Sequence, residues 1–343
     1  MKSNFKYDCL IIGGGLYGSY LASLLSRNKK VLLIDKNVSL MRKASFANQT
    51  RIHEGTHYLK SMETAFASKI YSDKLKKAFP EIIVENSEHF YVVPDEYNAI
   101  SKEEFLEKCE LLSVTVNKVE RKILSIPHNV YNIIEDNYDP SILRNSIIKK
   151  FNSRNLEIKL STYVTGVVRK ENEFVITLND NSKIITRNVY NSTYASINEL
   201  NQLFSLPLMN TVSEFVEIPL IFHEKFSKKA LTIIDGPYLS LTPFGSSKLH
   251  NLTSVIYSHH SVSSSAKNRE TYINFVLKQF EVMLLPEFQD FSYHGSLLSE
   301  KITLLFENSD DARPLVMKKY ENYIQILGTK VGNILEMDDL IDE

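Results

Sequence analysis

The stretch that most limits this chain is Gly13-Gly14-Gly15-Leu16-Tyr17-Gly18, because of what stands on either side of it. Residues 7–12, Tyr-Asp-Cys-Leu-Ile-Ile, are a short apolar run with the length and flanks of a buried parallel strand. Beyond the glycines, Leu16, Tyr20, Leu21, Leu24 and Leu25 recur at helical spacing, and the pattern fades at Ser26-Arg27-Asn28. Residues 30–35, Lys-Val-Leu-Leu-Ile-Asp, give a second buried strand that ends in an acid. A GxGxxG pattern is weak by itself and gains force between a strand and a helix. Gly13 allows the tight turn, Gly15 lets the backbone approach a pyrophosphate, and Gly18 lets helix and strand pack closely. The helix N-terminus adds N–H groups and a positive dipole end, and Asp35 stands where a carboxylate accepts from a ribose diol. The pattern predicts dinucleotide binding and leaves FAD and NAD both open.

At 343 residues the chain has room for two lobes or one large α/β unit. A net charge of -1 gives no electrostatic reason to expect nucleic acid or anionic lipid as a partner. Cys9 and Cys109 show neither metal-ligand spacing nor a disulfide framework, so the expectation is no metal and a cytoplasmic location. The basic, apolar N-terminus is interrupted by glycines and polar residues, and reads as part of the fold; no stretch has the length of a membrane span.

Further along, periodicity predicts a strand over 88–93, helices over 102–111 and 142–151, and a strand over 157–160. Residues 173–178 and 183–186 flank Asn179-Asp180-Asn181-Ser182 as a hairpin, and a buried strand resumes at 189–193. Strand-like runs at 215–222, 231–234, 238–241 and 252–257 suggest an antiparallel sheet inserted into the α/β frame. A helix over 272–285, a strand over 323–327 and a final helix from about 331 close the chain. The approach to Asp139-Pro140 reads as irregular.

Residues 45–58, Ser-Phe-Ala-Asn-Gln-Thr-Arg-Ile-His-Glu-Gly-Thr-His-Tyr, are too polar for a buried strand and too irregular for an amphipathic helix. Through Ser45-x-x-Asn48 and Ile52-His53-x-Gly55-x-x-Tyr58 this segment resembles the loop along the flavin in FAD-dependent oxidoreductases of the D-amino-acid oxidase, glycine oxidase and L-2-hydroxyglutarate oxidase superfamily. Thr50-Arg51-Ile52 is also similar to the sarcosine-oxidase branch. The resemblance extends over most of the chain, through the Rossmann opening, the helix after Asp139-Pro140, residues 189–195, and the Arg-Pro and Gly-Thr-Lys elements near the C-terminus.

The resemblance implies FAD and a Rossmann-type FAD-binding domain at 1–85, 138–205 and 306–343, with an interleaved antiparallel-sheet substrate domain at 86–137 and 206–305. It implies a cofactor shell of Gly13, Gly15, Leu16, Tyr17, Gly18, Asp35, Lys36, Ser45, Asn48, Val164 and Thr193. Gly328, Thr329, Lys330 and Val331 would meet the N1–C2=O2 edge, where negative charge develops on reduction. His53 is the candidate base, with Arg51 as a further catalytic candidate; His57 reads as structural, and Tyr58 as core or pocket wall. Asp311-Ala312-Arg313-Pro314 is similar to an Arg-Pro element whose arginine clamps a substrate carboxylate, and Arg313 could instead pair with Asp310 or Asp311. Two positions depart from the family pattern. Tyr194 stands where a glycine usually closes the turn, so either its backbone differs or the turn shifts; Asp35 replaces a glutamate and shortens the reach to the ribose. The expected reaction is hydride transfer from a C–H bearing a hydroxyl or an amine in a small-molecule substrate, with binding of flavin without turnover as the other reading.

Overall fold

The computed structural model describes residues 5–59, 61–84, 88–96, 100–234, 236, 238–261, 266–305 and 314–341. Among these the strands form an eight-stranded sheet, a nine-stranded sheet and a two-stranded pair. The first sheet has a parallel core. Phe5–Ile12 lies between Lys183–Asn191 and Val31–Ile34, with Tyr323–Leu327 and Leu156–Lys159 outside them. Cys9, Leu10, Ile11 and Val31 to Ile34 are all buried, since both faces are covered and no polar alternation is needed. On one face Ile11 and Leu33 pack with Leu21 and Leu25 of helix Leu16–Leu25 and with Leu143 and Ile147 of helix Pro140–Lys149. On the other, Leu10 and Leu32 meet Phe174, Ile176 and Leu200.

The second sheet runs His259–Ser261, Thr211–Phe222, Leu249–Ser254, Leu239–Pro243, Lys229–Ile233, Glu88–Pro94, His128–Ile133 and Val116–Val119, with Ser292–Leu304 also paired to Thr211–Phe222. Its pairings are antiparallel except at Lys229–Ile233 beside Glu88–Pro94, the parallel seam where two distant chain segments join. Helix Ala266–Met283 seats Val276 and Phe280 against Phe226, Leu231, Leu241 and Leu252.

Several elements differ from the sequence expectation. Helix Met62–Ala78 carries no apolar stripe: its buried positions are Thr64, Ala65, Ser68, Ser72 and Leu75, so periodicity gave no signal. Residues expected as a hairpin arm and a separate strand form one strand, Lys183–Asn191, which serves Phe174–Leu178 with its first half and Tyr323–Leu327 with its second. The helix expected over 142–151 starts at Pro140, because Asp139 accepts from the Ser141 and Ile142 N–H groups and proline suits the first helical position. The irregular approach to Asp139 contains strands His128–Ile133 and Asp136–Asn137. Thirteen-residue Ser292–Leu304 had no clean alternation to announce it. The final helix from 331 is instead a tight turn, Gly332–Leu335, followed by Glu336–Ile341. Among the described residues no helix is long and apolar enough to cross a membrane.

Gly18 sits where helix Leu16–Leu25 rests on the end of the first strand, and a methyl group there would overlap the Gly13 carbonyl oxygen. Gly18→Ala is expected to lower stability by about 1–3 kcal/mol, the usual cost of overpacking against something that cannot yield. The denaturant midpoint of the purified variant measures it; an unchanged midpoint contradicts this packing.

Candidate functional site: a cavity between the two sheets

A cavity of about 1190 Å³ is lined from both sheets. On the parallel-sheet side its wall includes Gly13, Gly15, Leu16, Tyr17, Asp35, Lys36, Val164 and Thr193. Gly13 has φ +102°, a conformation that favours glycine, and packs against the backbone of Ser192 and Thr193. Gly18 does not reach the cavity and acts beneath it, as helix packing. Asp35, expected to accept from a ribose diol, has both carboxylate oxygens engaged within the chain. Its Oδ2 accepts the Gly14 N–H at 2.6 Å and its Oδ1 accepts from the Asn37 backbone and side chain at 2.7 and 2.8 Å, so the carboxylate braces the glycine turn. Lys36 Nζ donates to Ser196 Oγ at 3.1 Å. The Leu16 N–H, at the helix start, donates to Ser45 Oγ at 2.8 Å.

The loop after Ser45 is shaped by its own side chains. Asn48, expected as a flavin donor, lines the cavity but gives its amide N–H groups to the Ala44 and Ser45 carbonyls, while its Oδ1 accepts from Thr50 N and Tyr138 Oη. Thr50 has φ +52°, costly for a β-branched residue. It is held there by its hydroxyl, which donates to the Pro243 carbonyl at 2.7 Å and accepts from Asn251 Nδ2 at 3.1 Å. That turn sends Arg51 into the interior.

There Arg51 and Glu135, whose side chains are 0% exposed, form an ion pair at 2.9 Å. Glu135 Oε2 also accepts from Tyr91 Oη, which in turn receives bonds from Arg51 Nη2 at 2.6 Å and Thr56 Oγ1 at 2.9 Å. Glu135 Oε1 faces His53 Nδ1 at 3.0 Å. His89 Nδ1 lies 3.3 Å from Oε2 without hydrogen-bond geometry, and its Nε2 meets Thr232 Oγ1 at 2.8 Å. Burial alone would raise the Glu135 pKa, but Arg51, His53 and His89 hold it well below the usual carboxylate range. Burial and the Arg51 charge push His53 down to about 4, against the pull of Glu135, and His89 down to about 3. Both imidazoles are therefore neutral at pH 7. The His53 ring lines the cavity, stacked on His57 with centroids 5.0 Å apart and edged by Tyr58.

At the C-terminal turn, Tyr17 fills the space a Gly328 side chain would need, and its hydroxyl donates to the Lys330 carbonyl at 2.5 Å. Lys330 Nζ lies 3.7 Å from the centre of the Tyr58 ring. Gly328, Thr329, Lys330 and Val331 all line the cavity. Tyr194 resolves the departure noted above by adopting the left-handed conformation itself, at φ +53°, with its hydroxyl accepting from the Ile302 N–H at 3.2 Å. Arg313, Asp310 and Asp311 lie outside the described residues. Glu135, Tyr91 and His89 were missed by sequence reasoning: His89 and Tyr91 belong to one strand and Glu135 to another segment, and no local spacing joins either to Arg51, which is 84 residues from Glu135.

Two observations fit a flavin dinucleotide to this cavity. Gly15 and Ser45 both line the cavity, and a methyl group at Gly15 would lie 3.3 Å from Ser45 Oγ, so a side chain there would crowd the cradle that the bare backbone leaves for a ligand. Arg51 Nε and Nη1 are buried without a hydrogen-bond partner among the described residues, a charged edge that an acceptor oxygen would satisfy.

A family model described as FAD dependent oxidoreductase matches residues 8–303. Glycine oxidase from Geobacillus kaustophilus superposes with a TM-score of 0.75 at 14% identity, covering 97% of this chain and 91% of that one. L-alpha-glycerophosphate oxidase from Mycoplasma pneumoniae, solved with FAD bound, gives 0.74 at 14% identity over 98% and 95%. L-amino acid deaminase from Proteus vulgaris gives 0.70 at 11% identity over 100% and 92%. At such identities the likeness is one of fold. The FAD-dependent monooxygenase FPY4 of Fusarium mangiferae is 34% identical over 85 residues, which span 24% of this chain and only 23% of that protein.

Because Glu135 is buried with its charge matched by Arg51, Arg51→Met should destabilise the protein by about 3–5 kcal/mol. Replacing both partners with apolar residues, Arg51→Met with Glu135→Leu, should recover most of that loss. Denaturant titration of the three proteins decides it; a double variant no more stable than the single one contradicts the charge argument.

Proposed function

The chain belongs to the FAD dependent oxidoreductase family, and from that premise we propose that it oxidises a small 2-hydroxy acid at the carbon bearing the hydroxyl, with His53 accepting the hydroxyl proton. FAD, when bound, supplies the hydride acceptor. The residues that would hold it are Gly13, Gly15, Leu16, Tyr17, Asp35, Lys36, Ser45, Val164, Thr193 and the Gly328 to Val331 turn, all on the cavity wall.

The observation that carries the reading is His53 Nδ1 turned onto a buried carboxylate while the ring lines the cavity. Nε2 then presents a lone pair, and the depressed pKa keeps that lone pair free above about pH 4. A hydroxyl has a proton to surrender as its carbon loses hydride, so a neutral imidazole at this place has work that an already deprotonated amine would not require. Aromatic neighbours His57 and Tyr58 restrict the ring's rotation. Lys330 brings positive charge to the same cavity, in keeping with an acidic substrate.

Anaerobic mixing of the FAD-loaded protein with a panel of 2-hydroxy acids should bleach the flavin band. His53→Asn should slow that bleaching by about 10²–10⁴-fold, the usual share of a general base, with unchanged FAD content. Since the neutral imidazole is the active form, the wild-type rate should fall only as pH drops through about 4 and stay level across pH 6 to 8. Bleaching by amines alone, or an acid limb near the ordinary histidine value, would overturn the assignment.

A further inference from the structure

We propose that Glu135 is the positioning residue of this site: its Oε1 fixes His53 as the Nδ1–H tautomer and aims Nε2 into the cavity, an inference that rests on His53 being the base. Glu135 comes from the connection between strands His128–Ile133 and Asp136–Asn137, and His53 directly follows strand Arg51–Ile52, which pairs with Asp136–Asn137. The two-stranded pair thus holds the carboxylate and the imidazole in register.

The two oxygens of Glu135 do separate things. Oε2 takes Arg51 Nη2 and Tyr91 Oη, which completes a buried ion pair. Oε1 has His53 Nδ1 at 3.0 Å. An ionised carboxylate only accepts, so the proton between them belongs to Nδ1, and the lone pair is left on Nε2. A carboxylate retained for the ion pair alone would have no need of an imidazole on its other oxygen.

The charged and titratable groups around His53 come from four directions. Arg51 is on its own strand, His89 and Tyr91 are on Glu88–Pro94, Lys330 is on the C-terminal turn, and His57 and Tyr58 follow in the chain. Burial, Arg51 and Lys330 all weaken the imidazole as a base. Glu135 is what opposes them, by its hydrogen bond and by its charge. It also places a negative charge beside the imidazolium that forms when His53 takes a proton, so the charged product state is not left unpaired in the interior.

The test uses FAD-loaded protein labelled with ¹⁵N-histidine, with the His53 signals identified through His53→Asn. At pH 7 the wild-type ring should show a protonated Nδ1 and a bare Nε2, and should titrate near pH 4. In Glu135→Gln the amide oxygen can still accept from Nδ1, but the charge is gone, so the titration should move down by about 1–3 units. A protonated Nε2 in the wild type, or a His53 titration unmoved in Glu135→Gln, overturns the proposal. The wild-type tautomer decides the matter even where the variant does not fold. No substrate enters either measurement, so a flavin that hydroxy acids fail to bleach, with the Nδ1–H tautomer intact, would remove the role of His53 as base and leave the pairing in place.

Discussion

The Arg51–Glu135 ion pair is the interaction on which the rest of the site depends. Both side chains have left water entirely, and an ion taken from water costs several kcal/mol that only a well-placed opposite charge and full hydrogen bonding can offset. The partners come from strand Arg51–Ile52 and from the connection between strands His128–Ile133 and Asp136–Asn137. Satisfying one carboxylate therefore brings together Arg51, His53, Tyr91 and, at one remove, Thr56. The geometry of the candidate base is thus a by-product of neutralising a buried charge.

The path into this cluster is equally constrained. Asn48 folds its amide back on the loop, Thr50 takes a left-handed backbone, and Gln49 reaches over to Thr253 Oγ1 at 2.8 Å. Together with the Thr50 and Asn251 contacts, these bonds tie the loop to strands Leu239–Pro243 and Leu249–Ser254. Strain at Thr50 is tolerated because the surrounding bonds over-determine it. Polar residues crowd this segment largely to bond one another, and only the edges left over face the cavity.

What the sequence disclosed, and what it withheld, follows from the range of the interactions. The strand, glycine turn and helix at residues 5–25 are written in neighbouring residues, so their pattern is readable along the chain. Helix Met62–Ala78 was hidden because serine, threonine and alanine face inward there. The resemblance carried by Ser45-x-x-Asn48 led to the expectation that Asn48 belongs to the cofactor shell, and Asn48 does line the cavity; that its amide would be used up internally was not legible, since the acceptors are backbone carbonyls. Glu135 was invisible for a different reason: the acidic pair in Ile133-Ile134-Glu135-Asp136 looks like solvent-facing turn chemistry until the strand pairing at Arg51–Ile52 brings Glu135 inside. Tyr194 shows the converse, a residue that breaks a local preference because its hydroxyl gains an anchor on strand Ser292–Leu304.

The parallel seam between Glu88–Pro94 and Lys229–Ile233 bears on how the protein is made. Translation delivers Glu88–Pro94 well over a hundred residues before its neighbour, and in that interval one edge of a buried, mostly apolar strand has nothing to pair with. An edge of that kind is a template for intermolecular pairing, and pairings distant along the chain form slowly because loop closure must come first. The nascent chain is thus most exposed to aggregation while residues 95–228 are being synthesised, an interval in which the first sheet is also incomplete, since it waits for Tyr323–Leu327.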